Sequence, residues 1–322
     1  MGTVVALAGQ VGGAKLAEGL YRLRGKDLAV IANTGDDYEH LGLAFSPDCD
    51  TILYTLAGIA SATAGWEPAG ETHVLHGMLK SLGGPERPAI GDKSLAAPIL
   101  RTEWLRNDRR PTQVMREFAK RLGVQARILP MSDDPVRTHV LSEEGAVTFH
   151  EYFHDLGCEP RVQGFQYAGA DEARIPDEIL DALHAHDLEA VVLCPANPYH
   201  VILPILAING MRELLRKRGA PVIAVTPIVG GKALQGSAGK IMRELGKAPS
   251  PLAAAGEYRK VIDGFVIDLA DAEHADAVRS IGMEVLAAQT VMRTVDDRVA
   301  LARNVLEFAR ALRERRAVET DA

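Results

Sequence analysis

Cysteine is scarce in this 322-residue chain: there are three, Cys49, Cys158 and Cys194, and no two share CxxC spacing. That excludes a disulfide framework and a thiolate metal site. Cys194, inside the apolar run Val191-Val192-Leu193-Cys194, reads as a small buried hydrophobe. A basic excess is also missing. Lys plus Arg number 36 against 43 for Asp plus Glu, a formal charge of −7. The two short basic runs, Arg106 to Arg110 and Arg212 to Arg218, are interrupted, so binding to a nucleic-acid backbone is not expected. No apolar stretch approaches the ~18 residues of a membrane span; the best candidate, Val201 to Ile208, contains Pro204. The first residues lack the basic segment of a secretory signal, and a cytoplasmic protein is expected. Neither HExxH spacing nor a GxSxG elbow is present. His150 and His154 fall in a strand-like segment, where residues four apart stand about 13 Å from each other, so zinc is not expected.

What the chain does have is a globular balance, 47% hydrophobic and 25% charged. Its 30 glycines amount to about 9% against a usual ~7%, and they are clustered. Thr3 to Ala8 is a β-branched apolar run, followed by Gly9-Gln10-Val11-Gly12-Gly13 and then Leu16 to Leu23 at helical spacing. Strand, glycine turn and helix in that order open a doubly wound α/β domain. A second strand is expected over Leu28 to Ala32 and another over Arg127 to Met131. Between them, Thr55 to Leu122 shows only helical periodicity. Thr138 to Ser142 and Ala146 to Phe153 flank Glu143-Glu144-Gly145 and predict a β-hairpin. Helices over Asp177 to His186, Leu203 to Arg218, Ser237 to Leu245, Pro251 to Val261 and Asp296 to Leu312 alternate with strands at Ala190 to Cys194, Pro221 to Val225 and Gly264 to Asp268. The expected fold is α/β: a doubly wound, mostly parallel Rossmann-like sheet over residues 1–54 and 123–322, with a small β-hairpin and a helical insertion over 55–122.

Open parallel sheets bind ligands at the carboxyl ends of their strands. The polar or glycine-rich loops 9–13, 33–37, 130–134, 195–198 and 226–231 all follow predicted strands, so they are expected to converge on one edge. The first is neither a GxGxxG fingerprint, lacking the third glycine, nor a Walker A loop. Its glycines would still let backbone N–H groups approach a phosphate at a helix N-terminus, with Lys15 adding charge. Asp36-Asp37 and Asp48-Cys49-Asp50 supply hard oxygen ligands of the kind Mg²⁺ takes together with phosphate oxygens and water. Asp48 and Asp50 also read as caps of the helix that begins near Ile52. Ser132-Asp133-Asp134 offers further acceptors, or a turn before Pro135.

Taken in order, Gly12-Gly13-Ala14-Lys15, Asn33-Thr34-Gly35-Asp36-Asp37, Ser46-Pro47-Asp48-Cys49-Asp50-Thr51, Gly91-Asp92-Lys93, Arg101-Thr102, Leu129-Pro130-Met131-Ser132-Asp133-Asp134, Asn197-Pro198 and Pro227-Ile228-Val229-Gly230-Gly231 form a series. The series resembles the 2-phospho-L-lactate transferase family of coenzyme F-420 biosynthesis from residue 2 to about 310. The resemblance implies Mg²⁺-dependent transfer of a phospho-acid unit from a guanosine diphosphate conjugate to the ribityl hydroxyl of the deazaflavin Fo, releasing GMP. It implies Asp37 and Asp50 at the metal and in catalysis. Asp50, Lys93, Arg101 and Asp133 would meet the deazaflavin, which the insertion helps to hold. Gly9, Gly12, Gly13, Lys15, Asn197, Thr226 and Gly230 would meet the nucleotide and its phosphates, and the protein would be a homodimer. Gln10 departs from the family's usual glycine, Ala196 and Val201 from serine, Thr226 from serine and Ser94 from aspartate. The runner-up is a non-catalytic regulator of related fold that binds nucleotide sugars, which usually carries a Gly-Gly-Ser-Ser-like run where Tyr38-Glu39-His40 stands here.

Overall fold

The computed structural model describes residues 2–217, 219–233 and 236–320. The N-terminal half contributes β1 (Thr3–Ala8), α1 (Gln10–Arg24), β2 (Leu28–Ala32), a short hairpin of β3 (Tyr38–His40) and β4 (Leu43–Phe45), and α2 (Pro47–Leu56). Next come α3 (Val74–Ser81), α4 (Ala96–Arg106), α5 (Pro111–Arg121), β5 (Arg127–Pro130), β6 (Arg137–Ser142), β7 (Gly145–Thr148) and β8 (Val162–Ala168). The remainder is α6 (Asp177–Leu183), β9 (Leu188–Leu193), α7 (Leu203–Ala207), α8 (Met211–Arg216), β10 (Val222–Val225), the hairpin β11 (Ile228–Val229) and β12 (Lys232–Ala233), α9 (Ala238–Glu244), α10 (Pro251–Glu257), β13 (Gly264–Asp268), α11 (Ala275–Arg279), β14 (Glu284–Ala288) and α12 (Val295–Thr320).

Seven strands form one parallel sheet in the order β5-β2-β1-β9-β10-β13-β14. The order reverses between β1 and β9, which is where a doubly wound sheet opens its crevice. Both faces are buried, as an all-parallel sheet requires. Val5, Leu7, Ile31, Val191 and Leu193 point into one core with α6, α7, α8 and α10. Val4, Ala6, Val30, Val192 and Val266 point into the other with α1, α2, α5 and α12. Burying both faces explains why these strands read as continuous apolar runs without alternation.

Several local expectations are corrected. The strand expected to reach Phe153 stops at Thr148, and Glu151–Asp155 forms a π-helical turn. His150 and His154 therefore lie with ring centroids 4.7 Å apart, far closer than strand spacing predicts. β8 joins the other side of β6 and makes the hairpin a three-stranded sheet. The helix expected over 203–218 is broken by Gly210, whose φ of 81° no helix accommodates; Arg218 lies outside the described residues. α5, within the expected insertion, buries Val114, Met115 and Phe118 against the sheet's core. Segment 57–95 has far less core contact, and α3 buries none of its residues.

Candidate active site

The crevice at the carboxyl edge is assembled from the ends of β1, β2 and β9. α1 has no capping side chain of its own at Gly9. The carboxylate of Asp48, in the first turn of α2, does that work: Oδ1 accepts the Gln10 N–H at 2.7 Å and Oδ2 accepts the Asn33 side-chain amide at 2.9 Å. Asp48 thus caps a helix, but α1 and not its own. Gly9 is required by this contact, since a Cβ there would lie 2.3 Å from Asp48 Oδ2 and 2.5 Å from Val201. Gly12 is required by another: its Cβ would lie 2.5 Å from the carbonyl oxygen of Pro195, so the loops after β1 and β9 touch backbone to backbone.

Next to this network stands a second one. Ser46 Oγ donates to Asp37 Oδ1 at 2.8 Å. Arg101 from α4 clamps Asp50 through both guanidinium nitrogens, with Nη1 3.1 Å from Oδ2 and Nη2 on Oδ1. The two side chains are only 6% and 11% exposed. Burial pushes the Asp37 carboxyl up to about 7, against the downward pull of Arg137, the Ser46 hydroxyl and Arg101. Burial also pushes Asp48 up to about 7, with the Asp36 charge adding to it and the Asn33 and Gln10 hydrogen bonds opposing. Asp50 is raised by burial despite Arg101. Tyr38, beside Asp37 in the chain, stacks on Phe45 at 4.9 Å and on His150 at 3.6 Å between centroids.

Of the two aspartates expected at a metal, Asp37 keeps one carboxylate oxygen without a hydrogen-bond partner among the described residues, whereas both oxygens of Asp50 carry Arg101. Asp36 adds an oxygen, Oδ1, that is buried and unpartnered. No group of three His, Cys, Asp or Glu is arranged as a ready metal cage among the described residues. Mg²⁺ needs only one or two carboxylates when phosphate and water complete its shell.

The structure separates the other expected residues. Asn197 caps the π-helical turn Pro198–Ile202 by accepting the Tyr199 N–H, while its Nδ2 is buried without a partner. Lys15 lies in the second turn of α1, its pKa lowered by burial and by Arg298. The Thr226 hydroxyl is spent on Ile228, donating to its carbonyl and accepting its N–H. Gly230, at φ 58° in the β11–β12 turn, donates its N–H to Asp271. Asp133 caps α5 through the Thr112 N–H and hydroxyl and pairs with Arg110. Lys93 is exposed and donates to the carbonyl of Ala69 at 2.6 Å, in a loop organised by Glu71, which accepts the N–H groups of Lys93 and Ser94. His200 and the Gln10 side chain, which sequence reasoning did not place in the site, bridge the loops at its centre.

A family model described as 2-phospho-L-lactate transferase CofD matches residues 4–304. The 2-phospho-L-lactate transferase of Methanocaldococcus jannaschii is 36% identical over 314 residues, 96% of this chain and 99% of that protein. The phosphoenolpyruvate transferase of Streptomyces griseus subsp. griseus is 35% identical over 317 residues, 96% of this chain and 99% of its own. Among solved structures, a Bacillus halodurans member of the upf0052 family has a TM-score of 0.61 at 16% identity, covering 95% of this chain and 98% of that one, a likeness of fold.

Proposed function

The chain belongs to the 2-phospho-L-lactate transferase CofD family, and from that premise we propose that it moves a phospho-acid unit from a guanosine diphosphate conjugate to the ribityl hydroxyl of the deazaflavin Fo, with release of GMP. The observation that carries this reading is the pairing, on one sheet edge, of a close-packed glycine loop with a buried aspartate group that is only partly neutralised. Phosphoryl transfer depends on positioning and charge neutralisation more than on covalent help. The donor's phosphates would lie where the loops after β1 and β9 meet, near Gly12, Gly13, Lys15 and Asn197, with Thr226 and Gly230 shaping the neighbouring loop. Asp37, with its free oxygen, would hold Mg²⁺, and Asp36 lies beside it. Mg²⁺, when bound, supplies positive charge to the phosphate oxygens. The Phe45–Tyr38–His150 stack offers a flat aromatic face next to Asp37 for the deazaflavin, with Lys93 and Asp133 farther out along the α4–α5 side. Arg101 holds Asp50 in one orientation. A carboxylate oxygen has a second lone pair, through which Asp50 would accept the proton of the attacking hydroxyl.

We extend the proposal to a homodimer in the cytoplasm. Val74, Leu75 and Met78 on α3, Leu82 just after it and Ile99 on α4 are exposed apolar residues, which a second copy would cover. The cysteines are free, and among the described residues no helix is long and apolar enough to cross a membrane. The test is turnover of Fo with Mg²⁺ and guanosine conjugates of phospholactate, phosphoenolpyruvate and 3-phosphoglycerate, the product identified by mass spectrometry. A phospho-acid ester of Fo together with GMP is expected. Nucleotide binding without product would support the non-catalytic regulator instead.

A further inference from the structure

Gln10 is the least expected participant at the switch point. Its φ of 54° lies in the left-handed region that disfavours a side chain. Its carboxamide nonetheless spans the two loops: Nε2 lies 3.3 Å from His200 Nε2, and Oε1 accepts the Asn197 N–H at 3.4 Å. His200, only 1% exposed, is held on both sides. Asp36 Oδ2 lies 2.8 Å from its Nδ1, and the ring stacks on Phe149 at 3.8 Å between centroids. The Asp36 carboxylate accepts a hydrogen bond from Nδ1–H, which leaves Nε2 of the neutral ring as an acceptor and Gln10 Nε2 as its donor. The orientation of the amide follows from this. Oε1 faces the Asn197 N–H, and one of the two N–H bonds of Gln10 Nε2 remains unspent. Asn197, 5% exposed, presents a second carboxamide whose Nδ2 has no partner among the described residues.

We propose that Gln10 is a substrate-positioning donor to an anionic oxygen of the diphosphate in the group-transfer substrate, and that Asp36 and His200 are a positioning pair that sets its amide. The proposal rests on the transferase reading above. Glycine would satisfy the backbone at this position without strain, so the side chain must contribute something the backbone does not need. A carboxamide suits the place electrostatically. A lysine here would be captured by Asp36 or Asp48, whereas an amide N–H binds a phosphoryl oxygen without pairing to either carboxylate. His200 is too buried to reach a ligand, so its influence passes through Gln10.

The test combines calorimetric titration of guanosine diphosphate with steady-state kinetics in which donor and deazaflavin are varied separately. Gln10→Gly relieves the backbone but leaves His200 Nε2 and the Asn197 N–H without their partner; the two effects oppose each other, so its Tm should stay close to that of the wild type. Its affinity for guanosine diphosphate should fall about tenfold or more, the loss of one hydrogen bond to a charged group. KM for the donor should rise while KM for the deazaflavin stays unchanged. Gln10→Glu, which places an anion against the diphosphate, should lose more. His200→Phe keeps the stack on Phe149 but frees Gln10; it should reproduce the donor defect alone and add nothing in the Gln10→Gly background. Wild-type affinity in Gln10→Gly overturns the role of Gln10, and an additive His200→Phe effect overturns the positioning role. If the wild type itself binds no guanosine diphosphate, the transferase reading falls and takes this inference with it.

Discussion

Replacing Arg101 by Met should separate what holds the site together from what it does. Arg101 and Asp50 are both nearly closed off from solvent and share two hydrogen bonds, and Arg101 also donates to the carbonyl of Ala44 at 3.3 Å. Removing the guanidinium leaves a carboxylate buried and uncompensated, a loss that costs about 3–5 kcal/mol in comparable pairs. With an unfolding entropy of roughly 2.1 cal/mol/K per residue, this corresponds to a Tm lower by about 4–7 °C. A methionine side chain would lie along Met115 and Phe118, which already flank the guanidinium, so packing loss adds little. Asp50→Leu combined with Arg101→Met removes both charges and should recover most of the stability. The double variant should remain inactive. Differential scanning calorimetry and the transfer assay read the two quantities. A double variant as unstable as Arg101→Met would refute the argument that an uncompensated charge, rather than lost packing, sets the cost.

Other outcomes follow from single contacts. Gly12→Ala places a methyl 2.5 Å from the Pro195 carbonyl, a backbone atom that cannot step aside; a loss of about 1–3 kcal/mol and weaker donor binding should appear in melts and titrations. Chelation should abolish turnover and Mg²⁺ restore it, and Asp37→Asn should raise the Mg²⁺ needed for half-maximal rate on the order of tenfold or more; an unchanged requirement would remove Asp37 from the metal. Asp268 is buried, which raises a carboxyl, yet it sits below its ordinary value because the Ala270 and Thr290 N–H groups and the Thr290 hydroxyl outweigh burial. Its stabilisation is complete above the unfolded value near 3.8 and is lost as pH falls through the lower folded value. Asp268→Asn should therefore lower Tm at neutral pH and matter little in strong acid, as a pH series of melts would record.

The architecture was legible because its strongest signals are local. β2 and β13 lie at the boundaries their apolar runs predict, and the parallel order follows from strand–helix alternation. β14 was not legible: Glu284–Ala288 is only partly buried at the sheet's edge, and its short apolar run, Val285 to Ala288, ends in two alanines, which carry little strand signal. The β3–β4 hairpin is three residues a side, too short to show a period. The strand predicted through Phe153 failed because Phe149, just before the π-helical turn, and Tyr152, within it, are buried, and an apolar residue buried from a turn looks like one buried from a strand.

In the site, residue types were readable and partnerships were not. Asp36, Asp37, Asp48 and Asp50 stand out as a group, but Asp50 meets Arg101 across 51 residues and Gln10 meets His200 across 190, distances that only the topology closes. The consequence is sharpest for Asp48. Read along the chain, it is a cap for its own helix, and the glycine loop beside it is an open phosphate cradle. In the fold, Asp48 already occupies the first N–H of α1 with a carboxylate, so an anion cannot take that position without displacing it or facing its charge. The positive end of the helix is thus shared between a resident carboxylate on the β2 side and whatever binds on the β9 side. There Gly12 meets Pro195, and the amides of Gln10 and Asn197 hold unspent N–H groups. Under the proposed reading, a phosphate drawn to α1 would therefore bind off the helix axis toward β9, at the carboxamides of Gln10 and Asn197, which would leave the aspartate side of the crevice for the metal and the attacking hydroxyl.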